Sequence, residues 1–285
     1  MQKEMLHFIK MHGCGNDYIY LPCFDQKLTN IDKLAYQLSD RHKGIGGDGI
    51  VCIEKSDVAD ARMRMFNADG SEGAMCGNAI RCVGKYVYEH HICDKQDITI
   101  ETKSGIKKLH LHIQDQQVTS VTVEMGKPCF EAEKIPVIST KKIILDEPMK
   151  IQNETYTVSC VSMGNPHAII FMHQDIHDLP LKKIGPFFEY HTSFPNRINT
   201  EFVQIIDDHT ICMRVWERGS GETQACGTGA CAVVAAAVRT HRLEKNKEIE
   251  VRLTGGRLYI TDTSEGMLMR GDCVEVFEGK MEVTV

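Results

Sequence analysis

Two short stretches of the chain say nearly the same thing: Cys76-Gly77-Asn78-Ala79-Ile80-Arg81-Cys82 and Cys226-Gly227-Thr228-Gly229-Ala230-Cys231. Each sets Cys-Gly at the head of a run that reads as a helix, and the two lie 150 residues apart in a chain of 285. A repeat at half-chain spacing implies two pseudo-equivalent halves, each offering one thiol. A helix N-terminus has unpaired backbone N–H groups and a partial positive charge, so it favours a thiolate and attracts an anion such as a carboxylate. Gly77 and Gly227 let a ligand approach the backbone closely. A single Cys-Gly reads most simply as a small buried residue; its recurrence in both halves favours chemistry. Two thiols acting on one carbon can remove a proton from one face and supply one to the other.

The order of elements supports the duplication. In the first half, strands are expected at 6–11, 18–21, 50–53 and 62–66, with a short helix at 31–38. A helix from Gly77 to about Glu89 follows, with apolar Ile80, Val83 and Val87 at helical spacing, and then strands at 98–101, 107–113 and 118–124. The second half repeats this with strands at 155–161, 168–171, 201–206 and 212–216 and a helical or irregular piece near 183–190. The helix Gly227–Arg239 and short strands from Ile249 onward complete it. The run from Ala230 to Val238 is apolar nearly all round and needs burial on every side, as a curved sheet wrapped round one central helix provides. The expected fold class is therefore α/β (α+β). The expected N-terminal domain spans 1–124 and the C-terminal domain 125–274, with a last strand at about 275–285 returning to the first.

Other classes fit poorly. A net charge of −6 and no basic block, only isolated pairs such as Lys107-Lys108, argue against nucleic acid. The N-terminal residues show no apolar signal core and the longest apolar run is too short for a bilayer, so no membrane partner is expected and the default compartment is the cytoplasm. Twelve cysteines are then read as reduced thiols, and the absence of Cys-x-x-Cys or His-Glu-x-x-His spacing argues against a metal site. Cys52, Cys160, Cys212, Cys82 and Cys231 read as core residues. Gly44-Ile45-Gly46-Gly47-Asp48-Gly49 has dinucleotide-loop spacing, but a charged stretch precedes it and a strand follows, so it reads as a turn or a loop near a site. Asn16, Asn67, Asn78, Asn165 and Asn199, expected in turns, suggest a polar cage for a zwitterion, since each amide both donates and accepts.

The chain resembles diaminopimelate epimerase. The resemblance is carried by 11–17 (MHGCGND), 40–46 (DRHKGIG), 67–72 (NADGSE), 75–78 (MCGN), 163–167 (MGNPH), 199–203 (NTEFV), 214–223 (RVWERGSGET) and 225–229 (ACGTG), in family order. It implies cofactor-free, pyridoxal-phosphate-independent interconversion of LL- and meso-diaminopimelate, for lysine and cell-wall synthesis, by a cytoplasmic homodimer. It implies two pseudo-symmetric domains, each a barrel-like mixed sheet around a central helix, with the active site in the cleft between them. Carried over by position, Cys76 and Cys226 are the acid/base pair. Asn16, Asn67, Asn165, Asn199, Glu217 and Arg218 bind the distal amino-acid end, Gly77-Asn78 and Gly227-Thr228 hold the reacting carboxylate, and His167 and Glu217 flank the thiols. The chain departs at Gly49, where some members have Gln, at Gln224, where an apolar residue is common, and at Cys14, where Leu is common.

Three other readings compete: a racemase of another amino acid on the same fold, a non-catalytic amino-acid-binding protein, and a cysteine hydrolase with His167 as base. The second has no need of two thiols, and the third leaves the second Cys-Gly unexplained.

Overall fold

The structure is a computed structural model and describes residues 3–24 and 28–284; Met1, Gln2 and Val285, at the ends of the expected domains, lie outside the described residues. The chain divides into two compact units, Met1–Val123 with Gly271–Val285, and Glu124–Arg270.

In the first unit β1 (Lys3–Gly13) pairs antiparallel with both β2 (Asn16–Pro22) and the last strand, β18 (Val274–Thr284). The chain crosses through α1 (Ile31–Ser39) to β3 (Gly49–Glu54), parallel to β2, and turns back as β4 (Ala61–Asn67), which pairs with the two-residue β5 (Glu72–Gly73). Helix α2 (Gly77–Glu89) leads to β6 (Asp97–Thr102), parallel to β4, and β7 (Gly105–Gln114) and β8 (Gln117–Gly126) follow antiparallel.

The second unit repeats these pairings with the same orientations. Strand β9 (Glu147–Ile151) and β11 (Pro166–Phe171) lie antiparallel to β10 (Glu154–Ser162). Helix α3 (Leu181–Glu189) leads to β12 (Asn199–Ile205), parallel to β11, and β13 (Thr210–Glu217) returns with the short β14 (Gly221–Thr223). Helix α4 (Gly227–Arg239) then crosses to β15 (Glu248–Leu253), parallel to β13, followed by β16 (Gly256–Asp262), antiparallel to β15, and by β17 (Met267–Gly271). The architecture is mixed α/β and dominated by sheet, with one long helix per unit.

Helix α4 is central because its sequence leaves no polar face to expose, whereas α2 turns Lys85 and Glu89 outward and buries most of the rest. Every residue from Gly229 to Ala237 in α4 is buried, and the helix packs on β10, β11, β12 and β16. Its side chains are mostly Ala and Val, short enough for strands to close on it from several sides. Helix α2 packs on β1, β2, β4, β6 and β7. A Cβ at Gly84 would lie 2.9 Å from a methyl of Leu109, so the β7 side chains pack directly on the helix backbone there.

Both central helices have the bounds expected from sequence, and no disulfide joins the twelve cysteines. No helix of the described residues is long and apolar enough to cross a membrane. Three strands were not expected. Strands β5 and β14 are too short to show a period, and β9 carries Pro148, which marks an edge strand. The asparagines also sit differently. Asn16 and Asn199 open strands, Asn67 closes one, Asn78 is the second residue of α2, and only Asn165 lies in a bend. Pro166, expected in the turn, begins β11, where a missing N–H is tolerated.

The strand that carries part of the second unit's polar cluster is anchored by Phe202, fully buried and edge-on to Phe188 at 5.3 Å between ring centroids. Phe202→Ala is expected to lower unfolding stability by about 3–5 kcal/mol, read as a drop in the urea midpoint. A loss below about 1 kcal/mol contradicts this packing.

Candidate active site

Cys76 and Cys226 are the N-cap residues of α2 and α4, with nearly the same backbone: φ −128°, ψ 122° and φ −123°, ψ 107°. The extended conformation at the cap turns each chain into its helix and leaves the thiol beside the first N–H groups. Gly77 and Gly227 are the first residues of the helices. The environments of the two thiols then diverge.

In the first unit the thiol is partly buried among amides. Cys76 donates to Asn16 Oδ1 at 3.3 Å, and Asn78 Nδ2 points at the same oxygen at 3.4 Å. Asn16 is placed by the hairpin between β1 and β2, whose two loop residues, Cys14 and Gly15, have φ of 54° and 75°; positive φ at both matches a two-residue hairpin turn. Its amide is oriented by Asp48, which accepts from Asn16 Nδ2 at 2.7 Å and is itself paired with Arg41. The glycine-rich loop at 44–49 thus delivers a carboxylate to the asparagine and then enters β3, consistent with its reading as a loop near a site. Arg81 is fully buried and donates to Asn78 Oδ1, to the Gly77 carbonyl and to the Asp272 carbonyl, at 3.0–3.1 Å. Asn67 keeps to its own turn, donating to Ser71 Oγ at 3.0 Å. A Cβ at Gly49 would stand 2.1 Å from the Phe66 carbonyl, so any larger residue there requires a shifted backbone.

In the second unit the thiol is buried among ionisable groups. Cys226 Sγ accepts from the Gly229 N–H at 3.3 Å and lies 3.4 Å from Thr228 Oγ1. Thr228 Oγ1 accepts from Asn165 Nδ2 at 3.2 Å, Asn165 Oδ1 faces His167 Nε2 at 3.0 Å, and His167 Nδ1 meets Glu201 at 2.7 Å. His167 and Glu201 are both fully buried. A Cβ at Gly229 would fall 2.6 Å from Glu201 Oε1, so this glycine makes room for the carboxylate at the helix start. Burial, and then the Glu217 and Glu201 carboxylates, push the Cys226 thiol well above its ordinary range, against the hydrogen bonds from Thr228 and Gly229. Burial also raises the Glu217 carboxyl, opposed by the hydroxyl of Thr223. His167 and Glu217 therefore both stand at Cys226. Asn199 spans β11 and the end of β13, donating to the Pro166 carbonyl at 2.8 Å and accepting from the Arg218 N–H at 2.9 Å. The Arg218 guanidinium gives one N–H to the Asn196 carbonyl, leaving other donors of its five for a ligand.

The sequence reading missed Asp48, Arg81 and Glu201 as parts of these networks. Glu201 had a signal: the acidic residue of β12 lies beside Phe202 and Val203, on a strand parallel to the one that carries a histidine. His167, Glu201 and Cys226 each offer one ligand atom, all within 4.8 Å of one another, and are the group among the described residues that could hold a metal ion.

The fold is shared with solved structures. A hydroxyproline epimerase from Agrobacterium vitis superposes with a TM-score of 0.70 at 14% identity, covering 99% of this chain and 92% of that one. A phenazine biosynthesis protein from Bacillus anthracis does so with a TM-score of 0.67 at 19% identity, covering 99% and 100%. The class is thus a two-unit mixed-sheet fold found among epimerases. Sequence narrows it. The family model described as diaminopimelate epimerase matches residues 8–131 and 159–280. The diaminopimelate epimerases of Methanococcus maripaludis and Acetivibrio thermocellus are each 50% identical over 280 residues, covering 98% of this chain and 100% and 99% of theirs. The chain belongs to the diaminopimelate epimerase family, and is an isomerase.

Because the Glu217 charge raises the Cys226 thiol, removing that charge lowers it and enlarges the thiolate fraction at a given pH. Glu217→Gln should alkylate faster with iodoacetamide at Cys226 at pH 8, by about tenfold for each unit of thiol pKa, and reach half-maximal rate at lower pH. An unchanged or slower rate, measured by peptide mass spectrometry, contradicts the electrostatic assignment.

Proposed function

We propose that the chain interconverts LL- and meso-diaminopimelate by a two-base mechanism, with Cys76 and Cys226 as the acid/base pair on opposite faces of one α-carbon. The observation that carries it is a cysteine at the N-cap of each central helix, in the same backbone conformation, within a family of this activity. The α-proton of an amino acid is weakly acidic because the carbanion forms beside a carboxylate. Backbone N–H groups of the two helix starts, at Gly77-Asn78 and Gly227-Thr228, stabilise that charge as preorganised donors in a site shielded from water. One thiolate takes the proton and the opposite thiol returns one. The two networks suit this division: Cys76 bonds to an amide oxygen as a thiol, and Cys226 sits beside the Glu217 carboxylate, whose charge raises its thiol.

Substrate length is read at the far end. Asn16, Asn67, Asn165, Asn199, Glu217 and Arg218 bind the distal amino-acid group in this reading, with Arg218 gripping its carboxylate. Holding one L centre while the other inverts makes the enzyme an epimerase. The reading carries with it a cytoplasmic homodimer that needs no cofactor.

Cys76→Ala and Cys226→Ala are each expected to lower isomer interconversion by about 10²–10⁴-fold, measured by chiral chromatography. A single-cysteine variant that interconverts the isomers at the wild-type rate refutes the pair. Arg218→Ala should reduce kcat/KM for diaminopimelate by about tenfold or more. Normal turnover removes Arg218 from the distal site, and faster turnover of proline or glutamate than of diaminopimelate by the unaltered protein moves the function to another amino acid.

A further inference from the structure

We propose that Cys226, His167 and Glu201 form a binding site for a thiophilic divalent cation, with Zn2+ as the type, and that its occupancy silences the Cys226 thiol. The three residues lie on separate elements, the α4 cap, β11 and β12, and all three are buried. Their ligand atoms lie within 4.8 Å of one another. A thiolate, an imidazole and a carboxylate are a donor set that Zn2+ takes in tetrahedral sites, at about 2.0–2.3 Å from the metal. Around an ion the Cys226 sulfur closes on the pair, while the 2.7 Å His167–Glu201 contact opens by about 0.6 Å, the separation of two ligands each about 2.0–2.1 Å from one tetrahedral metal.

A second observation, on the hydrogen bonding of the same glutamate rather than on spacing, also points to a cation. Glu201 Oε2 has no hydrogen-bond partner although the residue is fully buried. An unpaired buried carboxylate oxygen is costly, and it is an open ligand position. The support behind the histidine also matches a ligating imidazole. His167 Nε2 faces Asn165 Oδ1 at 3.0 Å, and Asn165 is tied in turn to Thr228. A ligating histidine donates its other ring N–H to such an acceptor, which fixes the ring and leaves Nδ1, the atom facing Glu201, to bind. The fourth position falls to water. Glu217 adds a further carboxylate beside Cys226, so the neighbourhood is richer in negative groups than one imidazole can balance.

Binding is an exchange of protons for the ion. The Cys226 S–H proton and the proton shared by His167 Nδ1 and Glu201 leave to solvent, the sulfur, nitrogen and carboxylate bonds to the metal form, and nothing is oxidised or reduced. A coordinated sulfur no longer accepts or returns an α-proton, so the ion inhibits; it has no part in the reaction. The site is distinct from a cation held by Cys76 and Cys226 together, which the same experiment detects.

The test is Zn2+ titration of the reduced full chain by calorimetry, together with iodoacetamide labelling and Co2+ substitution. Expected are one equivalent bound, Cys226 shielded from alkylation while Cys76 still reacts, and a near-ultraviolet thiolate-to-Co2+ band. Binding and band persist in Cys76→Ala and vanish in Cys226→Ala. Glu201→Gln weakens binding by at least about tenfold. His167→Gln is the second variant should Glu201→Gln fail to fold, with the same loss expected. The proposal is overturned by a wild-type chain that binds no Zn2+ below millimolar concentration. Equal loss of binding in both Cys→Ala variants, or unchanged affinity in a folded Glu201 or His167 variant, overturns it as well.

Discussion

The structure depends on one local arrangement used twice: a thiol at the N-cap of a helix whose first turns are buried against the strands of its own unit. The two properties require each other. A helix start exposed to water has its dipole screened, and its N–H groups find solvent. Ringed by strands, the same N–H groups keep their field and await an anion. The Ala-Val composition of α4 therefore sets the strength of the site as well as the fold, because it lets β10, β11, β12 and β16 close on the helix. The matching strand pairings of the two units show that the scaffold around each thiol is built in the same order, with the parallel crossings in the same places.

On this repeated scaffold the polar groups differ. Cys76 is held by amides whose orientation is set by carboxylate and guanidinium partners further out: Asp48 turns Asn16, and Arg81 turns Asn78. Cys226 is surrounded by ionisable side chains: His167, Glu201 and Glu217. One half supplies fixed dipoles and the other ionisable groups.

Much of this was legible in the chain. Helical spacing and the all-apolar run from Ala230 gave both central helices with their observed bounds, and turn residues gave most strands to within one or two residues. Strand β9 escaped because its single proline masks a weak alternation, and β5 and β14 because two or three residues have no period. The thiols were legible because they recur at helix starts. The residues behind them were not. Asp48 lies in a loop whose glycines suggest a turn, Arg81 reads as one polar residue on a helix, and Glu201 as one acid in a strand. Their importance comes from three-dimensional proximity, across 32 residues from Asp48 to Asn16 and 34 from His167 to Glu201. No spacing rule reports such distances.

The central claim is that two different groups serve the two faces of one carbon. Turnover of LL-diaminopimelate in deuterated water tests it most directly. In the initial phase the account predicts deuterium at the inverted α-carbon of the meso product, while recovered LL substrate keeps its protium, because the returning proton comes from the thiol on the opposite side. Deuterium entering recovered substrate as fast as product, or protium carried over into product, would show a single base working both faces and contradict the account.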